Sequence, residues 1–261
     1  MEERVYKISN WNVDRAKINT PKTNLVVSTI LELNTDIIVL TETSDAVNLS
    51  TNFPYSISTL PYGRTPNEQW VTIWSKWEIV EEINTFDSYR TVCAKINSPF
   101  GEIIIYGTII PYHMAGVSGV RYGNLNYKPW EYHEKDLYRQ SADWEKISDN
   151  GYPLLVIGDF NQCRSNNRSY GTMKVRSILT DLLEKNDIAC VTAIDFSGKF
   201  LTRDPKKGKV RSNIDHICIS NSLINKFESY SVGAWNHFTD DGKYMTDHNG
   251  VYIDFKIKEA I

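Results

Sequence analysis

The chain twice passes from a helical pattern straight into a short run that is apolar at every position, and this repeat limits the possible folds more than any other feature. The first instance starts at Thr20-Pro21, where Thr20 suits an N-cap and Pro21 the first helical position. Leu25, Val26, Ile30 and Leu33 share one helical face, and Asn34-Thr35-Asp36 closes the helix before Ile37-Ile38-Val39-Leu40. The second runs from about 131 to 149 with Leu137, Trp144 and Ile147 inward. It stops at Asn150-Gly151-Tyr152-Pro153 and gives way to Leu154-Leu155-Val156-Ile157. Both runs look buried, so a strand, helix, strand opening is expected, with the second half repeating its logic.

The remaining segments fill in two β-rich halves. Residues 5–13 mix apolar and polar positions like a strand, and short runs at 70–74, 77–83, 91–97 and 102–110 are expected to form an antiparallel meander. A glycine- and aromatic-rich loop is expected over 111–130, a helix over 172–185, and strands near 188–194, 214–219 and 250–257. In the last, Val251, Ile253, Phe255 and Ile257 alternate with polar residues, so one face is wet or helix-covered. Nothing marks a linker or a repeat period. The expectation is an α/β (α+β) fold, with two mostly antiparallel sheets face to face and helices outside, in one domain over 1–261. A chain of 261 residues, 41% hydrophobic, is long enough for one large core.

A net charge of −3 gives no global attraction to nucleic acid, so a polyanion must be met by local cations or by metal. Cysteines 93, 163, 190 and 218 lack metal-ligand spacing and read as reduced core residues. Met1-Glu2-Glu3-Arg4 is no signal-peptide n-region, and the apolar runs fall far short of the about 20 residues that span a bilayer. A cytoplasmic monomer without stable membrane association is expected; the sequence names no protein partner.

Five strand-like runs end in carboxylates, amides or histidine: Trp11-Asn12-Val13-Asp14, Leu40-Thr41-Glu42-Thr43, Gly158-Asp159-Phe160-Asn161, Asn213-Ile214-Asp215-His216 and Met245-Thr246-Asp247-His248-Asn249. Residues i and i+2 of an extended chain share a face, so Asn12 with Asp14, and Asp159 with Asn161, can aim oxygens at one point. Hard divalent cations take such oxygen ligands, while the scarcity of histidine and thiolate disfavours zinc. Singly, each segment has an ordinary explanation as a cap, a surface ion pair or a strand end. Together they point to a metal site.

In this order the segments resemble the endonuclease/exonuclease/phosphatase superfamily, over residues 7 to 255. Lys7 to Asp14 and Ile37 to Thr43 look like its opening pair, and Gly158-Asp159-Phe160-Asn161 like its central signature. The resemblance implies a four-layer αββα sandwich with the site at one end. It makes Glu42 the principal metal ligand, assisted by Asp14 and Asp247, for one or two magnesium ions with manganese as a substitute. Asn12 and Asn161 hold phosphate or water oxygens, and Asp159 orients or deprotonates the attacking water. His248 contacts the scissile phosphate or acts as acid/base, with Asp215 fixing its tautomer. One position departs from the pattern: Ile109 stands where many nuclease members carry tyrosine or histidine, so either Tyr112 or His113 takes over that contact or the role is missing.

Arg203, Lys206, Lys207, Lys209 and Arg211 form a basic hairpin tip leading into Asp215, which is either an exposed turn or a grip for flanking phosphates. Tyr112, Tyr122, Tyr127 and Trp130, with Arg121 and Lys128, either stack bases or pack as a lid. Arg164 and Arg168 are phosphate-clamp candidates or solvated loop residues. His216 is expected to face the opposite side of its strand from Asp215 and to be structural; His133 and His237 have no partner identifiable from sequence. The leading reading is a magnesium-dependent nuclease acting on DNA or RNA. The alternatives are a phosphatase or phosphodiesterase for a small or lipid-borne phosphate, and a catalytically silent binding module.

Overall fold

The two apolar runs occupy equivalent places in two six-stranded sheets. A computed structural model describes residues 4–61, 66–119, 125–165 and 170–258. In order across the first sheet stand β11 (Phe227–Trp235), β12 (Gly250–Ile257), β1 (Tyr6–Asn12), β2 (Ile37–Ser44), β4 (Glu68–Ser75) and β3 (Tyr55–Ser58). Across the second stand β5 (Ile79–Ile83), β6 (Thr91–Ser98), β7 (Gly101–Ile109), β8 (Leu154–Asp159), β10 (Asp215–Ser220) and β9 (Ile188–Cys190). The helices are α1 (Pro21–Glu32), α2 (Glu131–Ser148), α3 (Met173–Lys185) and α4 (Asn221–Ile224). Each sheet has one parallel pair, β1 with β2 and β7 with β8, and α1 and α2 make the crossovers. Thr20 caps α1 by accepting the Thr23 N–H at 3.2 Å, as its sequence position suggests.

Strand alternation explains why the central runs carry no polar residue. Ile37 and Val39 point between the sheets, where they meet Ile105, Leu155, Ile157, Ile217 and Ile253. Ile38 and Leu40 point outward onto Val26 and Ile30 of α1. Leu154 and Val156 likewise point outward, beneath Leu137 and Trp144 of α2 and Leu179 of α3. The result is the four-layer αββα sandwich.

Three expectations change. The 70–110 segment is no single meander, because β4 pairs with β2 in the first sheet and only β5, β6 and β7 run consecutively in the second. The chain crosses between sheets at Lys76-Trp77-Glu78, where the Lys76 N–H is tied to the Asp36 carbonyl at 2.9 Å. The strand expected over 188–194 shortens to β9. β3 and β11 were not anticipated; both are edge strands, β3 largely exposed and β11 exposed over Glu228 to Ser231, so apolar alternation is weak in each.

Candidate active site

The sandwich brings the ends of its central strands together at one edge. Asn12 ends β1 beside Thr41, which sets Glu42 next to it, and Asp215 opens β10 directly across from Asp159 at the end of β8. Asp247 and His248 immediately precede β12. Gly158 permits the approach, since a Cβ there would lie 1.8 Å from the Thr108 carbonyl oxygen on β7. Its own carbonyl accepts the Asn10 side-chain amide at 2.8 Å, linking the sheets just below the site. Asp14, Glu42 and Asn161 all have left-handed backbone, with φ of 46°, 47° and 48°. For side-chain-bearing residues that conformation costs energy, and its concentration here marks a site held by its surroundings.

Hydrogen bonds join the five segments into one network. The Asn12 amide donates to Glu42 Oε1 and Asp159 Oδ2, both at 3.3 Å, while its oxygen accepts the Asp14 N–H at 3.0 Å. Asn12 is therefore engaged at both ends, holding Glu42, Asp159 and Asp14. Asn161 donates its side-chain amide to the Ile110 carbonyl at 2.9 Å and to Asp159 Oδ2 at 3.1 Å. Its backbone N–H donates to Asp159 Oδ1 at 2.8 Å, leaving the amide oxygen for the cleft. His248 Nδ1 is 2.6 Å from Asp215 Oδ2, and its Nε2 lies 3.8 Å from Asp247 Oδ1.

Burial and like charge make this floor electrostatically demanding. Desolvation, reinforced by Asp215 opposite, pushes the Asp159 carboxyl up to about 8. Burial alone lowers the His248 ring, but the Asp215 and Asp159 carboxylates outweigh it and push the ring up to about 10. Desolvation raises Glu42 despite its ion pair with Arg15. Asp215 Oδ1 is buried with no hydrogen-bond partner among the described residues.

Two groups of ligand atoms suit a cation differently. Asp159, Asp215 and His248 bring one atom each to within 4.8 Å of one another, a group able to hold a cation or, with the ring tied to Asp215 through Nδ1, to handle a proton. Glu42, Asp14 and Asp247 offer oxygen alone. The under-compensated Glu42 charge and the exposed Asp247 carboxylate fit a hard divalent ion.

The site opens into a cleft of about 1390 Å³ lined by Asp14, Glu42, Asp159, Asn161, Asp247 and His248. Of the candidate substrate contacts, Tyr112, Lys207 and Arg211 line it, and Ile109 lies beside Tyr112. Three do not. Arg164 turns to the Arg176 carbonyl at 2.8 Å and the Thr180 hydroxyl at 2.6 Å, fastening its loop to α3. His113 packs on Trp130, with Nδ1 2.8 Å from the Tyr170 hydroxyl, and Arg203 is exposed outside the lining. The basic segment is a hydrogen-bonded turn rather than a hairpin tip, as the Gly208 N–H to Asp204 carbonyl bond of 2.8 Å shows. Arg121, Tyr122 and Arg168 fall outside the described residues.

Sequence reasoning missed Arg15, Trp70 and Tyr170 in the lining, whereas Lys209 of the basic segment does reach it. Adjacency to Asp14 was the only signal for Arg15, whose guanidinium lies 4.8 Å from the Trp70 ring centroid. Of the other histidines, His216 bonds Thr192 and the Gln162 carbonyl, both at 3.1 Å, away from the cleft as expected. His133 bonds the Pro111 carbonyl at 2.7 Å and the Gln162 amide at 3.0 Å.

A model of the endonuclease/exonuclease/phosphatase family matches residues 9–248. No curated protein sequence matches the chain. Among solved structures, an AP endonuclease from Archaeoglobus fulgidus is 16% identical with TM-score 0.70, over 97% of this chain and 100% of that one. A 3'-5' exonuclease from Neisseria meningitidis is 17% identical with TM-score 0.68, over 96% and 99%. Sphingomyelinase C from Streptomyces griseocarneus is 15% identical with TM-score 0.64, over 96% and 99%. At these identities the likeness establishes the fold.

Proposed function

The chain belongs to the endonuclease/exonuclease/phosphatase family, and from that premise we propose that it is a magnesium-dependent nuclease hydrolysing phosphodiester bonds of DNA or RNA by in-line attack of water. The observation that carries this reading is the cleft, whose floor is acidic while Lys207, Lys209 and Arg211 line its rim. At about 1390 Å³ it exceeds the roughly 300–1,000 Å³ of a small-ligand pocket and suits an extended polyanion. Two of the structural neighbours are nucleases by name, which accords with that substrate class.

Each residue's part follows from its contacts. Asp159, held on both oxygens by Asn12 and Asn161 and poised near neutrality, takes the proton of the attacking water. His248, oriented through Nδ1 by Asp215, presents Nε2 to the cleft and stabilises charge growing on the phosphate oxygens. The Asn161 amide oxygen orients the water. Glu42, with Asp14 and Asp247, would hold the magnesium ion, which when bound offsets phosphate charge. Tyr112 stands at the cleft wall where Ile109 offers no donor.

The other reading, a phosphodiesterase for a small or lipid-borne phosphate, draws support from the apolar wall of Ile109, Ile110, Ala115 and Leu125 and from the sphingomyelinase among the neighbours. A magnesium-titrated panel of plasmid, single-stranded DNA, RNA, abasic duplex, sphingomyelin and inositol phosphates, run beside Glu42→Ala, separates them. Cleavage of nucleic acid that needs both metal and Glu42 supports the nuclease. Turnover of only the small or lipid substrates replaces it, and no turnover of any substrate favours a silent module.

A further inference from the structure

The exposed turn beside the site carries Arg203, Lys206, Lys207, Lys209 and Arg211, and like charges so close together favour a splayed, fluctuating loop. Its backbone is instead fastened from beneath. Asp204 is 1% exposed, and its Oδ1 accepts the Lys206 and Lys207 N–H groups at 2.7 and 2.8 Å together with the Tyr244 hydroxyl. The Asp204 N–H donates to the Lys209 carbonyl at 2.9 Å, closing the turn. Asp204 Oδ2 lies 3.0 Å from His237 Nε2, and His237 Nδ1 lies 2.8 Å from Asn249 Oδ1. The Asn249 amide then donates to the Arg211 carbonyl at 2.9 Å.

This buried chain therefore holds the turn at both ends, and its inner member is the neighbour of His248. It also sorts the cations. Lys206 lies with its ammonium 3.8 Å from the Tyr244 ring centroid, whereas Lys207, Lys209 and Arg211 line the cleft. Arg211 reaches Asp247 at 3.5 Å, next to the reacting centre, and the two lysines line the same cleft.

We propose that Asp204, His237 and Asn249 are positioning residues that hold Lys207, Lys209 and Arg211 as a subsite for nucleic-acid backbone phosphates flanking the scissile one. The inference rests on the nuclease reading and names the part of the cleft that recognises the rest of the strand. Backbone phosphates are the fitting ligand because three cations presented along an edge match a repeating anion without reading bases.

The test is binding of a short fluorescent DNA duplex, followed by anisotropy in EDTA over a salt series. Replacing both Lys207 and Lys209 by alanine is expected to weaken binding about tenfold and flatten the slope of log Kd against log salt by about 1 for each phosphate that loses its cation. His237→Ala is expected to do nearly the same. The triple variant should add little, because the double variant has already released the phosphates that His237 serves indirectly. A histidine that merely stabilises the fold leaves the salt slope unchanged and gives an additive triple variant, and either result overturns the proposal. So does an unaltered protein that ignores the duplex or prefers vesicles of anionic lipid. If His237→Ala does not fold, Asp204→Asn replaces it in the same cycle. Hydrolysis of bis(4-nitrophenyl) phosphate with magnesium, a diester with no flanking phosphate, tests the phosphoesterase reading separately.

Discussion

Asp215 with His248 and Asp204 with His237 are both buried aspartate–histidine pairs, closed at 2.6 and 3.0 Å. In the first, only Nδ1 is bonded among the described residues, and Nε2 lies 3.8 Å from Asp247 Oδ1 in the cleft lining. In the second, both ring nitrogens are consumed, one by Asp204 and one by Asn249. The same two side chains thus serve two ends. A ring with one nitrogen open can exchange a proton with substrate, while a ring saturated on both sides only fixes the backbone that its partners hold. Pairing alone does not identify a catalytic histidine; the unspent nitrogen does.

The largest expected effect breaks the open pair. His248→Gln should lower kcat for a nucleic-acid substrate about 10³-fold, the range for losing a positioned donor that stabilises transition-state charge, while near-ultraviolet circular dichroism stays unchanged. A loss of less than tenfold would remove His248 from the reaction and erase the distinction between the two pairs.

His133 sharpens the comparison, because it is a buried ring with no carboxylate. Its Nδ1–H donates to the Pro111 carbonyl and its Nε2 accepts from the Gln162 amide, an arrangement that only the neutral ring satisfies. Burial, opposed by the Pro111 bond, lowers it from 6.5 to about 4. A depressed folded-state value means the contribution is fully present above pH 6.5 and is lost as pH falls through about 4. The loss approaches about 3 kcal/mol. Urea unfolding at pH 7 and pH 4 should show this difference shrinking in His133→Asn, which keeps a donor but cannot titrate. An identical pH dependence in the variant assigns the acid sensitivity to other groups.

The saturated pair should yield a smaller effect. His237→Gln keeps an amide donor for one partner and cannot reach both, so one buried hydrogen bond is lost, for about 1–2 kcal/mol of stability in urea titration. A neutral outcome would mean that the ring's second contact contributes nothing.

The sequence exposes these roles unevenly. The acidic floor is legible because its members sit at or beside the ends of apolar strands. Strand alternation is not what pairs them, since Asp14 and Asn161 lie just past β1 and β8 in left-handed backbone and turn in from there. The layered plan is legible from the two β-rich halves with helices beside each, which call for two packed sheets with helices outside. What fails is any inference from nearness along the chain outside regular structure. Arg164 follows Asn161 by three residues yet turns onto α3, while Tyr170 reaches the cleft through a loop without periodicity. The His237 partner is hidden for a related reason: Asp204 lies 33 residues away, with β10, α4 and β11 between them. Charge marked the basic turn, but only coordinates reveal what holds it.

The smallest effect carries the contrast between open and occupied groups to the carboxylates. Asp14 Oδ2 is 2.7 Å from the Lys22 ammonium, and the two side chains are 46% and 33% exposed. A pair so solvated contributes little, and Lys22→Ala should change folding stability by less than about 0.5 kcal/mol. The same ammonium competes with a divalent ion for that oxygen. Removing it should therefore tighten magnesium binding, read by calorimetry without substrate, by about two- to fivefold, the equivalent of a surface ion pair released. Asp14→Asn should move affinity the other way, and weaker binding in Lys22→Ala would mean that Lys22 holds Asp14 in its ligating position rather than occupying it.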